Sequence, residues 1–404
     1  MTDSASLGHL FRRESGRLVP ALVRLFGVRN LDLAEDVAQE TLLRAVEVWK
    51  FHGVPDDPAA WLIRAAKNRA IDVLRRQKTA RTFAAEVATE WSLVPIVEET
   101  FRTDAIRDEE LRMMFTCCHS RLPEEAQIGL VLSILCGFGA REIAAAFMIT
   151  TAAIEKRLAR AKATLAETPS LFSLDDVPAR TPTVLRALYV LFSEGYHGSH
   201  PDNPVREDLC NEAMRLCAMV REHAATPETD ALLALMSLHA ARLPARIRDG
   251  ALVAWEDQDR CAWDEDLVHQ GLRLLEDAAR GDNLSTYHVE AAIAAEHALA
   301  RSREQIAWSK IVDLYGLLLK LEPSPAAELA RAIAIGEAEG PARGLEALEA
   351  ITDERLSRAP FLDAARGDLL CMLGRGDEAR SAYLAARDKA RSDSERRFFD
   401  AKLR

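Results

Sequence analysis

The chain has 404 residues, 49% of them hydrophobic, enough to fill the cores of two or three domains, which excludes a wholly disordered chain. Its net charge of −11 argues against a surface that is basic throughout. Seven cysteines (Cys117, Cys118, Cys136, Cys210, Cys217, Cys261 and Cys371) form an odd set without a CxxC pair, and no secretory leader pattern is read. A cytoplasmic chain with reduced thiols is therefore expected, not a disulfide scaffold. The longest apolar stretch, 128–140, is broken by Ser133 and glycines and is too short to span a bilayer, so no membrane association is expected.

Alanine and leucine dominate and strand-like alternation is scarce, which predicts an all-α fold. Helices are expected at 7–27, 31–50 and 58–79, with Asp32 capping the second and Glu35 and Asp36 in its first turn. The Gly/Pro-rich segment 51–58 reads as a loop. Segment 81–106 reads as a linker, and helices follow at 107–119, 124–136, 140–147 and 151–166. A second linker is expected near 169–182. From 183 to 404 helices continue, broken at Pro201, Pro204, Pro227, Pro244, Gly281, Pro323, Pro325, Gly340, Pro360 and Gly374. Helix pairs with short breaks suggest a solenoid. Its clearest unit is 370–386, where Leu373-Gly374-Arg375 precedes Glu378-Ala379, Tyr383 and Ala386 in a tetratricopeptide-like small/large alternation.

Charge is unevenly divided. Residues 1–170 hold 23 basic and 23 acidic residues, and 171–404 hold the remaining 29 and 40. Within the neutral half, Arg64, Lys67, Arg69, Arg75, Arg76, Lys78 and Arg81 face only Asp72. A phosphate backbone responds to such a local stripe, not to whole-chain charge, because screening acts over about 8–10 Å. In the same helix Ala60, Trp61, Ile63, Ala65, Ala66, Ala70, Ile71 and Leu74 are expected on the apolar side. Asn68 could pair with a base edge and the arginines with phosphates. Downstream, Ile143 and Phe147 mark a short helix, Met148-Ile149-Thr150 a turn capped by Thr150, and Ile154, Leu158, Ala161 and Leu165 a second helix. That is a helix-turn-helix plan with Lys156, Arg157 and Arg160 on the polar side. The helix around Asp36, Gln39, Glu40 and Leu43 offers an acidic, amide-bearing face over an apolar seam, suited to a protein partner.

Taken together, these segments resemble sigma factors. Asp36-x-x-Gln39-Glu40 is similar to region 2.2. The run Trp61-Leu62-x-x-x-Ala66-x-Asn68-x-x-Ile71-Asp72-x-x-Arg75-Arg76 is similar to regions 2.3–2.4. Leu122-Pro123-Glu124-Glu125, Glu142-Ile143-Ala144 and Arg157-Leu158-Ala159-Arg160-Ala161-Lys162 are similar to region 4. With the short spacing, the chain resembles the extracytoplasmic-function group of the sigma-70 family. Met114-Phe115-x-Cys117-Cys118-His119 and Leu188-Tyr189-x-Leu191-Phe192-x-Glu194-Gly195-Tyr196 further resemble the subgroup with a C-terminal tetratricopeptide-like extension.

The resemblance implies a region 2 helical bundle at 1–80, a linker at 81–106, a region 4 helix-turn-helix domain at 107–168 and a TPR-like regulatory solenoid at 183–404. Asp36, Gln39, Glu40 and Leu43 would meet core RNA polymerase, whose clamp helices and flap are the implied partners. Arg64, Lys67, Asn68, Arg69, Asp72, Arg75 and Arg76 would meet the −10 promoter element. Thr150, Thr151, Lys156, Arg157 and Arg160 would meet the −35 element. Tyr189, Phe192, Glu194 and Tyr196 are expected at the domain junction, packed on the sigma-like half, and a regulatory protein is a candidate partner of the solenoid. No catalysis, cofactor or metal is expected. Cys117-Cys118-His119 and Glu194 with His197 and His200 lack zinc-type spacing, and no phosphate loop or nucleophile elbow is found. A tetratricopeptide-type scaffold with a vestigial sigma-like half is the alternative, against which the two basic segments speak.

Overall fold

A computed structural model describes residues 4–81, 90–147, 149–167, 177–197, 205–248, 251–253, 255–390 and 393–403. The chain divides into two compact units, Met1–Leu188 and Tyr189–Arg404. The first is built from α1 (Ser4–Phe26), α2 (Leu31–His52), α3 (Pro58–Arg81), α4 (Glu90–Thr100), α5 (Thr103–Cys117), α6 (Glu124–Leu130), α7 (Ala140–Ala146), α8 (Thr151–Glu167) and most of α9 (Val177–Tyr196). A π-turn at Val131–Leu135 extends α6, close to the expected helix end at 136.

Helix α1 is the axis of this unit. Leu18, Val19, Ala21, Leu22 and Val23 are each at most 3% exposed. A stretch apolar on all sides must be covered on all sides, and α2 and α5 do so, with the π-turn against a third side. Gly16 permits the last contact, since a Cβ there would lie 1.8 Å from the Leu135 carbonyl oxygen. Arg12 reaches Glu142 of α7 at 3.2 Å, and its guanidinium lies over the Phe138 ring. Phe11, Trp49 and Trp61, at 5.5 Å centroid spacings, bind α1, α2 and α3 together. Trp49 is thus a core residue.

Several expectations are corrected. The chain enters α2 through a 3₁₀ turn, so Asn30 and not Asp32 occupies the N-cap position, its amide donating to the Phe26 carbonyl at 2.6 Å. Phe51 and His52 close α2, and the loop is confined to 53–57, where Gly53 takes φ +79°. The segment 81–106 carries α4 and the start of α5. Pro182 lies inside α9, while residues 168–176 fall outside those described, as do Met148, 82–89 and His200. The apolar stripe of α3 is Leu62, Ala66, Ala70 and Val73, and Ala60 is exposed. The Cys117 and Cys118 thiols are buried, and burial pushes that of Cys118 up to about 12, leaving a protonated packing group.

The second unit is helical from the end of α9 onward: α10 (Glu207–His223), α11 (Pro227–Ala240), α12 (Glu265–Ala278), α13 (Thr286–Leu299), α14 (Trp308–Leu321), α15 (Pro325–Glu339), α16 (Pro341–Glu349), α17 (Glu354–Ser357), α18 (Phe361–Met372), α19 (Gly376–Asp388) and α20 (Asp393–Lys402). A two-residue hairpin, Ile247–Arg248 with Ala251–Leu252, interrupts the helices. Most helices pack on near neighbours in the chain, as in a solenoid. The unit at 370–386 forms as its spacing predicts: Gly374 turns at φ +73°, and Ala379, Ala382, Tyr383 and Ala386 are buried. The Tyr383 ring lies so close to Gly367 that a Cβ there would be 2.6 Å from it. Pro227, Pro325 and Pro341 each open a helix at its first turn.

Tyr189, Phe192 and Tyr196 find ring partners inside this second unit. Tyr189 lies 5.7 Å from Tyr287, Phe192 stacks on Tyr196 at 5.8 Å, and Arg246 covers Tyr196 at 3.7 Å. Gly195 sits where a Cβ would be 2.9 Å from the Arg206 carbonyl oxygen, which accounts for a glycine between Glu194 and Tyr196. Burial holds His239 well below the usual histidine range and His297 at about 4, with Arg242 adding to both.

Two expectations follow. Gly16→Ala should destabilise the protein by roughly 1–3 kcal/mol, because a packed backbone must move, whereas Gly8→Ala, with open space around it, should not; thermal unfolding of both variants checks this. The second concerns pH. A histidine whose folded pKa is depressed is neutral in the fold and protonated on unfolding, so stability is lost as pH falls from about 6.5 towards 4. Each such histidine contributes about 1.4 kcal/mol per pH unit in that window. His297→Gln should flatten the acid limb of unfolding midpoint against pH; an unchanged slope would refute the assignment.

Candidate promoter and polymerase interface

The buried stripe of α3 defines its outer face. At 100° per residue, Leu62, Ala66, Ala70 and Val73 share one side, and Arg64, Asn68, Asp72 and Arg75 emerge opposite, all exposed. Arg76 is also exposed. The flanking cations are engaged: Lys67 reaches Glu98 of α4 at 2.6 Å, and Arg69 donates to Glu40 of α2. Lys78 and Arg81 carry no described side-chain placement. At the end of α2 beside the Gly53 loop, Phe51 is 80% exposed. Its position in the 51–58 segment was legible, but its isolation from the core was not.

On α2, Asp36, Gln39, Glu40 and Leu43 share an exposed face, with Val46 one turn further on. Leu43 is 64% and Val46 52% exposed, apolar surface amid polar groups. Glu40 belongs both to this face and to the Arg69 pair. Glu35 is turned inward, and its carboxylate pairs with Lys162 of α8, which also lies 3.7 Å from Asp32. Burial raises the Glu35 pKa despite that lysine.

Helices α7 and α8 form the expected helix-turn-helix. The Gly139 backbone N–H donates to Glu142 at 3.0 Å, closing the start of α7. Thr150 caps α8, accepting from the Ala153 N–H at 3.3 Å. Ile154, Leu158, Ala161 and Leu165 are buried as spaced. The five sequence-derived residues do not share one role. Thr151, Lys156 and Arg160 are exposed, and the two cations, one turn apart, record no ion pair among the described residues. Arg157 is half-buried and pairs with Glu125 of α6 at 2.7 Å, fixing α8 to α6. The Thr150 hydroxyl is committed to its cap. Lys162, the last residue of the region 4-like run quoted above, links α8 to α2.

Residues 10–80 match sigma-70 region 2, residues 112–165 match sigma-70 region 4, and residues 180–279 match a family of unknown function, DUF6596. The chain belongs to the sigma-70 family. It is of the extracytoplasmic-function-like kind with a C-terminal extension. An uncharacterized protein of Rhizobium meliloti is 38% identical over all of this chain and 96% of its own length. A probable RNA polymerase sigma factor, RfaY, of Xanthomonas campestris pv. campestris is 29% identical over 37% of this chain and 39% of its own. No solved structure matches the chain.

For this sigma-70 family chain, region 2 spans α1 to α3 and region 4 spans α5 to α8, so the contacts of α1, Arg12 and Lys162 join the two regions. DUF6596 covers nearly all of α9 and extends through α12. No helix among the described residues is long and apolar enough to cross a membrane. Among the same residues no group of three or more His, Cys, Asp or Glu side chains is placed to hold a metal ion.

Proposed function

We propose that the chain directs core RNA polymerase to promoters. On this reading α3 engages the −10 element, α8 the −35 element, α2 the polymerase clamp helices, and the acidic C-terminal unit modulates the result. The observation that carries it is the outer ridge of α3, where Arg64, Asn68 and Arg75 stand exposed opposite the core stripe, with the Phe51 ring exposed at the end of α2. Arginine serves phosphate, asparagine a base edge, and an exposed ring offers stacking to an unpaired base. The paired Lys67 and Arg69 hold α3 against α4 and α2.

On α8 the base-reading groups are Lys156, Arg160 and Thr151, and Arg157 positions the helix through Glu125. In the free chain Lys162 holds the −35 helix to the helix proposed for polymerase docking. Leu43 and Val46 provide the apolar centre of the docking face, and Asp36, Gln39 and Glu40 its polar rim.

Three outcomes are expected. In promoter binding by the polymerase complex, Arg160→Ala or Lys156→Ala should cost about 1–3 kcal/mol each. Arg157→Ala should cost less in DNA binding, its exposed ion pair contributing under about 1 kcal/mol to the fold; equal losses at all three positions would remove the distinction. Phe51→Ala and Asn68→Ala should reduce permanganate reactivity of unpaired −10 thymines by roughly tenfold, as about 1–3 kcal/mol per stacked base implies. Unchanged reactivity would take this surface out of promoter melting. Leu43→Asp should weaken capture of core polymerase while leaving the unfolding free energy within about 0.5 kcal/mol of wild type, and undiminished capture would move the docking face elsewhere.

A further inference from the structure

Within the second unit, three arginines converge on one aromatic and histidine-rich region. Arg246 is buried, donates to the Tyr196 carbonyl at 2.6 Å and covers that ring. Arg260 donates to the His297 and Ala298 carbonyls at 3.3 and 2.8 Å and lies 4.1 Å from the Trp263 ring centre. Arg242 donates through Nε to the Gln258 side chain at 3.3 Å, with its guanidinium 5.3 Å from Trp263. None of the three is paired with a carboxylate among the described residues. Partly or fully buried cations with only dipoles and rings for partners leave positive charge uncompensated, and an anion is what such a place lacks.

The region opens onto a cavity of about 440 Å³, within the range of small-molecule sites. Tyr189, His239, Arg242, Glu290, His297 and Tyr315 line it, and Leu238, Ile293 and Leu318 supply apolar wall. The two histidines add to the case. Each has a buried Nδ1 without a hydrogen-bond partner. A buried ring nitrogen left alone costs least when it carries no proton, which puts the proton on Nε2 as a donor. Burial and the neighbouring Arg242 keep both rings neutral, so they cannot repel one another as cations. Glu290 lines the same cavity and accepts from the Tyr189 hydroxyl at 3.5 Å.

We propose that this cavity binds a small organic anion, its carboxylate or phosphate group held by the Arg242 guanidinium and the imidazoles of His239 and His297. A planar, permanently charged fork beside ring N–H donors is suited to an oxyanion, and the apolar wall to a short carbon skeleton. The seated anion would pair with Arg242, the one of the three arginines that lines the cavity.

The full-length protein, titrated separately with inorganic phosphate and with acetate at constant ionic strength, tests this without polymerase or DNA, so its outcome is independent of the promoter-binding reading. Either anion at about 10 mM should raise the thermal midpoint of wild type saturably by a few degrees, as binding to the folded state alone requires. Arg242→Met should remove the rise, and Arg343→Met, on a remote exposed helix, should keep it. Should Arg242→Met not fold, Arg242→Lys keeps the charge without the fork and should need at least threefold more anion for the same rise. No rise in wild type with either anion, or an undiminished rise in the Arg242 variant, overturns the proposal.

Discussion

Helix α1 is buried on all sides from Leu18 to Val23, and much else in the first unit follows from that. A stretch apolar on every side cannot lie on the surface of a three-helix bundle, because one face would stay in water. The chain therefore brings α5 and the π-turn over the face that α2 leaves bare, with Gly16 removing the side chain that would hold the turn away. As a result region 2 and region 4 form one compact body in the free chain. The outer faces of α2, α3 and α8 are defined by what this core leaves uncovered.

Ion pairs then sort the basic residues. A cation on a sigma-like helix can either build the fold or meet DNA, and geometry separates the two. Lys67, Arg69, Arg157 and Lys162 each hold a carboxylate on another helix. Arg64, Lys156 and Arg160 stand exposed without such a pair among the described residues. The second unit presents the reverse situation, with arginines drawn inside among aromatic rings and neutral histidines. Its net negative charge comes from other positions, so whole-domain charge says little about the ligand its interior suits.

Much of this was legible in the residues. Ile154, Leu158, Ala161 and Leu165 recur at helical spacing and are buried as a stripe, and Thr150 caps α8 as a threonine before such a stripe should. Gly374 and Tyr383 likewise carry a recognisable turn and packing pair. The core side of α3 was harder, because alanines 59, 60, 65, 66 and 70 lie around much of the helix and differ little in polarity. What the residues could not reveal depends on distant partners. The Lys162–Glu35 pair joins positions 127 apart, and no local pattern distinguishes Lys162 from Arg160. The Arg242 cavity draws its lining from five helices and intervening chain, without a motif in any of them.

The most direct test of the account is transcription itself. Purified full-length protein, added to core RNA polymerase with a library of promoter-length DNA from the same genome, should yield defined start sites absent with core enzyme alone. Those transcripts should share two sequence elements upstream, and should fall at least tenfold in the Lys156→Ala/Arg160→Ala double variant, as about 1.4 kcal/mol or more of lost contact requires. Initiation no different from that of core enzyme alone would contradict the promoter-directing function. Defined start sites insensitive to the double variant would contradict the reading surface placed on α8.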